Sequence, residues 1–339
     1  MSFLRKCRHF LFATRIGKLI SFFIFLPAVL FFLLNFLFPL NSSIDYATVI
    51  TAKDGTVLQA FLSKDEKWRM MAEPAEISPR LKTAILYKED KYFYYHPGVN
   101  PIAVIRAAVN NVFQGRRTSG ASTITMQVAR LLYPGKRTYI NKCVELFRAF
   151  QLEMKFSKEE ILRMYFNLVP YGGNIEGVKA AALLYYGRLP DKLSLGQLTT
   201  LAIIPNRPGS LRLGRNSDAL LAMRNKWLLR MKADHLFPEK DIDDALAEPL
   251  DAARTDAPMA APHLAFRLKN KYPKVPIIHS TLDPVKQQKV YSLTSNYSKR
   301  LHSFGIYNAA VLVVNNRTHM VEAYVGSPDF RDSDHGGQV

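Results

Sequence analysis

Residues 78–98, SPRLKTAILYKEDKYFYYHPG, decide how the rest of the chain is read. Ser78 followed by Pro79 is a helix start, with Ser as N-cap and Pro at the first helical position. Counted from there, Leu81, Ile85 and Glu89 fall at i, i+4 and i+8 on one stripe. Asp90 is rotated about 100° away. Two adjacent carboxylates thus receive different surroundings. Half-buried against Tyr92 and Phe93, Glu89 is placed as a general acid or base requires. If the helix instead ends before Glu89, both acids are solvated. Spacing alone leaves both readings open.

The wider composition narrows the setting. The 339 residues include 46 Lys+Arg against 28 Asp+Glu, a formal net charge of +18. Such an excess favours a polyanionic partner: nucleic acid, an anionic membrane surface or a phosphorylated substrate. Residues 19–40, LISFFIFLPAVLFFLLNFLFPL, carry no charge and are long enough to cross a hydrocarbon core of about 30 Å. A signal peptide has a shorter apolar region, about 7–15 residues, and no small-x-small cleavage site follows here. Arg5, Lys6, Arg8, Arg15 and Lys18 precede the segment, and the next basic residue is Lys53. The positive-inside rule therefore leaves the N-terminus in the cytoplasm and exports the rest. That selects a membrane partner over nucleic acid. Cys7 and Cys143 fall on opposite sides of the bilayer and cannot pair. The eight His show no HxxxH spacing, and no CxxC exists, so a Cys/His metal site is unsupported.

Residues 44–77 are a short β-rich lead-in, in which YATVITAKDGTVLQAFL alternates and turns at Asp54-Gly55. From Ser78 to about Lys232 the pattern is mostly helical. Residues 238–262, PEKDIDDALAEPLDAARTDAPMAAP, read as a short helix followed by a linker. Residues 308–327, NAAVLVVNNRTHMVEAYVGS, read as strand, turn, strand, with Asn315-Asn316 near the turn. Two strands are too few for an independent domain. They either pack on the preceding region or open a second domain.

Three further stretches carry candidate chemistry. In residues 115–132, GRRTSGASTITMQVARLL, Ser122 or Thr123 caps a helix bearing Thr125, Gln127 and Arg130. A helix N-terminus beside hydroxyls, an amide and Arg side chains suits an anion or sugar phosphate. The P-loop spacing is absent, and a plain solvated turn fits equally well. In residues 137–156, RTYINKCVELFRAFQLEMKF, Leu146, Phe150 and Met154 form an apolar row. Lys142, Glu145 and Arg148 lie at i, i+3 and i+6 on another face. They are either a surface salt-bridge row or a second carboxylate flanked by cations, facing the same cleft as Glu89. Residues 157–187, SKEEILRMYFNLVPYGGNIEGVKAAALLYYG, open with a capping box, Ser157 with Glu160. They read as a helix, a Gly-rich loop and a helix that serve as scaffold.

Together, in order over roughly residues 45–235, these stretches resemble the glycosyltransferase family 51 domain of class A penicillin-binding proteins, the peptidoglycan glycosyltransferases. EDKYFYYHPG fits the motif Glu-Asp-x-x-Phe-x-x-His-x-Gly at Glu89, Asp90, Phe93, His96 and Gly98. GASTITMQ fits Gly-x-Ser-Thr-Ile-Thr-Gln-Gln with Met126 in place of the first Gln. NKCVE fits Arg-Lys-x-x-Glu with Asn141 in place of Arg, and keeps Lys142 and Glu145. KEEILRMYFN fits Lys-x-Glu-Ile-Leu-x-x-Tyr-Leu-Asn, including Tyr165 and Asn167. LSLGQLTTLAIIPNRPGSL resembles the fifth motif, with Gln197 where an acid is usual. The wording is closest to the 1C branch of the family. APHLAFRL, STLDPVKQQ and VLVVNNRTHMVEAYVGSPDF resemble the linker and first strands of that branch's transpeptidase domain. Neither a Ser-x-x-Lys nor a Lys-Thr-Gly motif occurs, so no transpeptidase activity is expected from these residues.

The resemblance implies a mainly α fold: a lysozyme-like lobe, a small membrane-proximal jaw lobe, one N-terminal transmembrane helix and a short β-containing remnant of a transpeptidase domain. The implied layout is a basic tail at 1–18, the membrane helix at 19–40, the glycosyltransferase domain at 44–235, a linker at 236–280 and the incomplete transpeptidase start at 281–339. It implies polymerisation of lipid II at the periplasmic face of the bacterial inner membrane, with inversion and release of undecaprenyl pyrophosphate. Glu89 would be the general base, with Asp90 beside it. Lys142, Arg130 and Arg137 would stabilise the pyrophosphate. Glu145 would support that site, and Ser122, Thr123 and Gln127 would line the donor pocket. Phe93, His96, Gly98, Tyr165 and Asn167 would be structural. Implied partners are lipid II, the growing glycan strand and the inner membrane, with room for a separate transpeptidase or other cell-wall synthesis proteins; nucleic acid is not among them. No cofactor or bound metal is required by the resemblance, which leaves assistance by Mg or Mn open. Two rivals remain at this level: a lysozyme-type hydrolase built on two carboxylates, and a non-catalytic membrane-anchored scaffold.

Overall fold

The computed structural model describes residues 15–113, 122–136, 138–206 and 217–338, with side chains from Phe25 onward except at 108, 111, 112, 206 and 217. The protein is mainly helical, with short strands, and divides into two compact units. One comprises Met1–Ile44 and Tyr92–Leu162; the other comprises Asp45–Lys91 and Arg163–Val339.

The first unit holds the helices Arg15–Leu37, Pro101–Phe113, Ile124–Leu132 and Tyr139–Lys155. Helix Ile124–Leu132 starts because the Thr123 hydroxyl accepts from the Met126 N–H, and Tyr139–Lys155 because Thr138 accepts from Asn141 N–H. Each cap satisfies one of the orphan donors of a first turn. The two helices pack on each other, burying Ile124, Val128 and Ala129 from one and Ala149 and Leu152 from the other. Among the described residues no helix is long and apolar enough to cross a membrane. The expected span at 19–40 rests partly on residues 19–24, whose side chains lie outside those described, as does the basic tail through residue 14.

The second unit is built on three small sheets. Strand Val49–Thr51 pairs antiparallel with Val57–Ala60 and parallel with Ile277–His279. The Asp54-Gly55 turn predicted between the first two is present. Gly55 has φ +86, a region that favours glycine, and Asp54 Oδ1 accepts from Thr56 N–H at 3.0 Å. Strand Ile175–Glu176 pairs parallel with Trp68–Arg69 and antiparallel with Pro170–Gly172. The third sheet is the hairpin Val311–Val314 with Val321–Val325, where Asn315 Oδ1 accepts from the N–H groups of Arg317 and Thr318.

One expectation needs correction here. Residues 236–280 read as a short helix followed by a linker; the helix is present as Glu239–Ala247, but the linker also carries the helix Pro262–Lys271 and the strand Ile277–His279. That strand completes the first sheet, and Ala265 and Ile278 share a core cluster with Ile50 and Phe61. A composition rich in Pro and Ala concealed apolar residues that reach their partners only across more than two hundred positions of sequence. The terminal hairpin, for its part, packs on the preceding region. Val321 and Tyr324 lie against the cluster of Ala52, Leu58, Ala261 and Leu282.

Asp283 fastens this arrangement. Its carboxylate caps helix Pro284–Leu301 through the N–H groups of Val285 and Lys286 and pairs with Lys53 at 2.8 Å. The Lys53 ammonium, followed by the Lys286 N–H, lowers the Asp283 pKa from 3.8 to about 2. A carboxyl group depressed by folding stabilises the fold above its unfolded pKa, and the contribution is lost as pH falls through the folded value. Asp283→Asn keeps the cap, since Asn and Asp cap comparably, and removes the charge. It is expected to lower Tm near neutral pH, with the deficit closing as pH falls from about 4 to about 2. A deficit that does not change with pH would refute the charge as its source.

Candidate active site

The candidate residues divide between the two units, the boundary falling inside the first motif between Lys91 and Tyr92. In the second unit Ser78 caps helix Pro79–Glu89, its hydroxyl accepting from Leu81 N–H at 3.2 Å. Leu81, Ala84 and Ile85 are buried, and the helix packs on Leu195–Ile203. Glu89 is the last helical residue and its side chain is only 5 % exposed. The reading in which both acids are solvated is therefore excluded. Asp90 departs from its predicted position. The chain leaves the helix there, with φ −160 and ψ 76, so the 100° helical step no longer applies and Asp90 is buried. Tyr92, expected to cover Glu89, is largely exposed.

Two residues that sequence spacing passed over surround Glu89 within its unit. Lys88, with a side chain 2 % exposed, forms an ion pair with the Glu89 carboxylate. Burial lowers the Lys88 pKa and the Glu89 charge opposes that shift. Tyr171 is fully buried, and its phenol is pushed up by burial first and by the nearby Glu89 charge second. The only hint of either in the sequence was the YGG of the fourth stretch, read there as scaffold. Asn167 is buried and accepts from Ala72 N–H at 2.8 Å; Tyr165 is buried beside Phe166.

In the first unit, Lys142 Nζ donates to Ser122 Oγ at 2.9 Å and pairs with Glu145 Oε2 at 2.8 Å. The Lys142 side chain is 43 % exposed and Glu145 15 %. A cation tethered on two sides thus keeps part of its surface open to an anion beside a helix N-terminus, a setting that favours negative charge. Thr123 caps its helix and donates to the Gly98 carbonyl. Gln127 is half-buried on the same helix, whereas Arg130 in the last turn is exposed. Arg137 lies outside the described residues. Arg148 does not join Lys142 and Glu145. Six residues of helix turn it about 240° from Lys142, and it bonds the carbonyls of Phe38 and Pro39 instead.

A second polar knot lies at the end of the first motif. Phe93 and His96 are buried, and the Lys158 ammonium sits 4.5 Å from the Phe93 ring centroid. Lys158 also donates to the His96 carbonyl at 2.6 Å and to Glu153 Oε1 at 2.7 Å; Thr125 donates to the same Glu153 oxygen at 2.6 Å. Gly98 has φ +83, and a Cβ there would approach Glu153 Cγ to 2.8 Å and the Ala149 carbonyl to 3.2 Å. Gly98→Ala thus combines a left-handed backbone with a displaced Glu153. It is expected to cost about 2 kcal/mol, read as a lower Tm. An unchanged Tm would show that the loop relaxes freely. Glu153 was not a sequence candidate, because only the folded loop brings it under Gly98.

Each departure from the family motifs has a local account. Met126 is 1 % exposed and fills the core. Asn141 Nδ2 donates to the Lys136 carbonyl at 2.7 Å, tying down the loop before its helix rather than adding a cation. Gln197 closes a capping box with Ser194, its Oε1 accepting from the Ser194 N–H at 3.2 Å. An amide performs that capping as a carboxylate does.

A family model described as Transglycosylase matches residues 54–232. Penicillin-binding protein 1C of Escherichia coli (strain K12) is 38 % identical over 301 residues, covering 89 % of this chain and 39 % of that protein. Penicillin-binding protein 1A of the same organism is 33 % identical over 64 % of this chain and 25 % of its own length. Penicillin-binding protein 4 of Bacillus subtilis (strain 168) is 29 % identical over 58 % and 31 %. The chain thus spans about two fifths or less of these relatives. A crystal structure of penicillin-binding protein 1A from Haemophilus influenzae overlaps at a TM-score of 0.36 and 18 % identity, over 76 % of this chain and 31 % of that one, too slight to bear on the fold.

Proposed function

Because this chain belongs to the transglycosylase family, we propose that it is a membrane-anchored peptidoglycan glycosyltransferase that polymerises lipid II. Glu89 takes the proton from the acceptor sugar's 4-hydroxyl. The freed oxygen attacks the anomeric carbon of the donor with inversion, and the bond to the pyrophosphate breaks. Lys142 neutralises the leaving pyrophosphate, the electrostatic part of the catalysis, and Glu145 holds Lys142. Arg130 and Arg137 add positive charge for the pyrophosphate. Ser122, Thr123 and Gln127 serve the donor sugar, and Asp90 supports the base. No cofactor is part of this reading.

The observation that carries it is the half-open Lys142, held by Ser122 and Glu145. Hydrolysis of a glycan needs no such cation, whereas departure of a pyrophosphate does. The assignment of Glu89 and Lys142 to one reaction comes from the order of the motifs along the chain. We further assign residues 19–40 to a membrane span with the N-terminus in the cytoplasm, residues 44–235 to the transferase domain with a lysozyme-like lobe and a jaw lobe, and residues 281–339 to the start of a transpeptidase-like region. Exposed Ile102, Ile105 and Phe113 fall on one face of helix Pro101–Phe113 and support a membrane-facing jaw, since an unpartnered apolar helix face suits a lipid surface.

The test is incubation of the detergent-solubilised full chain with labelled lipid II. Glycan polymer and released undecaprenyl pyrophosphate are expected. No polymer under conditions where a related enzyme produces it would overturn the proposal, and soluble fragments released from preformed peptidoglycan would favour a hydrolase.

A further inference from the structure

The end of helix Arg15–Leu37 is held by side chains that the proposed chemistry does not use. Phe31, Leu34 and Asn35, at i, i+3 and i+4, form its less exposed face, while Phe32, Leu33, Phe36 and Leu37 are exposed. The Phe31 ring meets Phe147 and Phe150 edge-on, with centroids 5.5 and 6.4 Å apart. Arg148 donates to the carbonyls of Phe38 at 2.8 Å and Pro39 at 3.2 Å, and to Gln151 Oε1 at 2.7 Å. Gln151 Nε2 donates in turn to Asn35 Oδ1 at 2.7 Å and to the Phe38 carbonyl at 3.0 Å. The Arg148 guanidinium lies over the Tyr133 ring at 4.2 Å, and the Tyr133 hydroxyl donates to the Asn41 carbonyl at 2.9 Å.

The chemistry of this contact is that of a helix C-cap supplied from elsewhere in the fold. Carbonyls at and just beyond a helix C-terminus lack intrahelical partners and carry partial negative charge. A guanidinium is a favourable partner for them, and its planar fork can serve several acceptors at once. Arg148 and Gln151 stand on the same helix as Lys142 and Glu145. Six residues separate Lys142 from Arg148, about 9 Å of helix axis.

We propose that Arg148 and Gln151 are positioning residues that clamp the end of the anchor helix to the Lys142 helix. The clamp fixes the depth at which Lys142 meets a membrane-borne pyrophosphate. This inference rests on the transferase reading and on residues 19–40 as the anchor. A lipid-linked pyrophosphate is itself confined near the headgroup level. The catalytic cation gains from a fixed height only when the substrate is embedded in a bilayer, and a water-soluble substrate finds Lys142 at any height.

That difference supplies the test. The full chain is reconstituted in vesicles, and Arg148→Ala/Gln151→Ala is compared with wild type on two substrates: long-chain lipid II in the bilayer and a short-chain, water-soluble analogue. The double variant is expected to lose about tenfold in kcat/KM on the bilayer substrate and to stay within about twofold on the soluble one. Arg148→Lys, which keeps the charge and loses the fork, is expected to fall between. Equal losses on both substrates, or no loss on either, would overturn the inference. A second arm does not depend on activity. With native Cys7 and Cys143 replaced by Ser, Phe31→Cys/Phe147→Cys is treated with a short thiol cross-linker. Efficient cross-linking that drops when Arg148→Ala/Gln151→Ala is added supports the clamp, and cross-linking indifferent to that change refutes it. If wild type polymerises neither substrate, the transferase reading falls while the cross-link still decides the clamp.

Discussion

Glu89→Gln is expected to reduce lipid II polymerisation by about 10²–10⁴-fold, the usual contribution of a positioned general base. The substitution keeps the shape and removes the charge and the ability to take a proton, so among the kinetic constants the loss should fall on kcat with KM nearly unchanged. Lys88 complicates the measurement usefully. Its side chain is buried against Glu89, and removing one member of a buried pair is destabilising because the other charge loses its adjacent counter-charge. Burial already lowers the Lys88 pKa, so Lys88 can shed its proton to relieve part of that cost. A lysine whose folded pKa lies below its unfolded value destabilises the fold most at low pH, and the penalty shrinks as pH rises toward the unfolded pKa. The Glu89→Gln Tm deficit should therefore narrow at alkaline pH. Lys88→Met/Glu89→Gln removes the leftover charge and should restore the Tm without restoring polymer. Activity of Glu89→Gln within about twofold of wild type would end the base assignment.

Lys142→Met is expected to lower kcat/KM by about 10²-fold, comparable to deleting one donor that stabilises developing charge in a transition state. Here the fold is a weak confounder. The Lys142–Glu145 pair is partly open to solvent, and such pairs contribute only about 0–1 kcal/mol to stability. A large rate loss with little change in Tm would thus belong to chemistry. Lys142→Arg should recover part of the rate, since it keeps the charge but alters the reach to Ser122 and Glu145. Initial rates on labelled lipid II beside melting curves decide the matter. Wild-type rates in Lys142→Met would remove Lys142 from the mechanism, and a collapsed Tm would make it structural.

Local signals were legible where a short segment satisfies its own needs. Ser78-Pro79, Thr123 and the Ser157/Glu160 box name helix starts because the cap and the N–H it serves are three residues apart. Asp54-Gly55 and Asn315-Asn316 name turns because the side chain or the glycine meets its own backbone. The family motifs add roles that spacing cannot, since Glu89 on an apolar stripe was only one of two consistent readings. Helical phase failed at Asp90, where the chain leaves the helix, and composition failed beyond helix Glu239–Ala247, where apolar residues up to Ile278 are satisfied by strands near residue 50.

The sequence by itself determined the family, the order of the motifs, the helix starts at Ser78, Ser122/Thr123 and Ser157 and the turns at Asp54-Gly55 and Asn315-Asn316, and it named the two carboxylates and the lysine of the proposed chemistry. Tertiary structure alone decided that Lys88 and Glu89 are buried together, that Glu153 lies under Gly98, and that Arg148 caps the helix Arg15–Leu37. The physical reason is range. Caps and turns are settled within a few residues, whereas burial and long-range hydrogen bonds depend on atoms that folding brings together from distant positions.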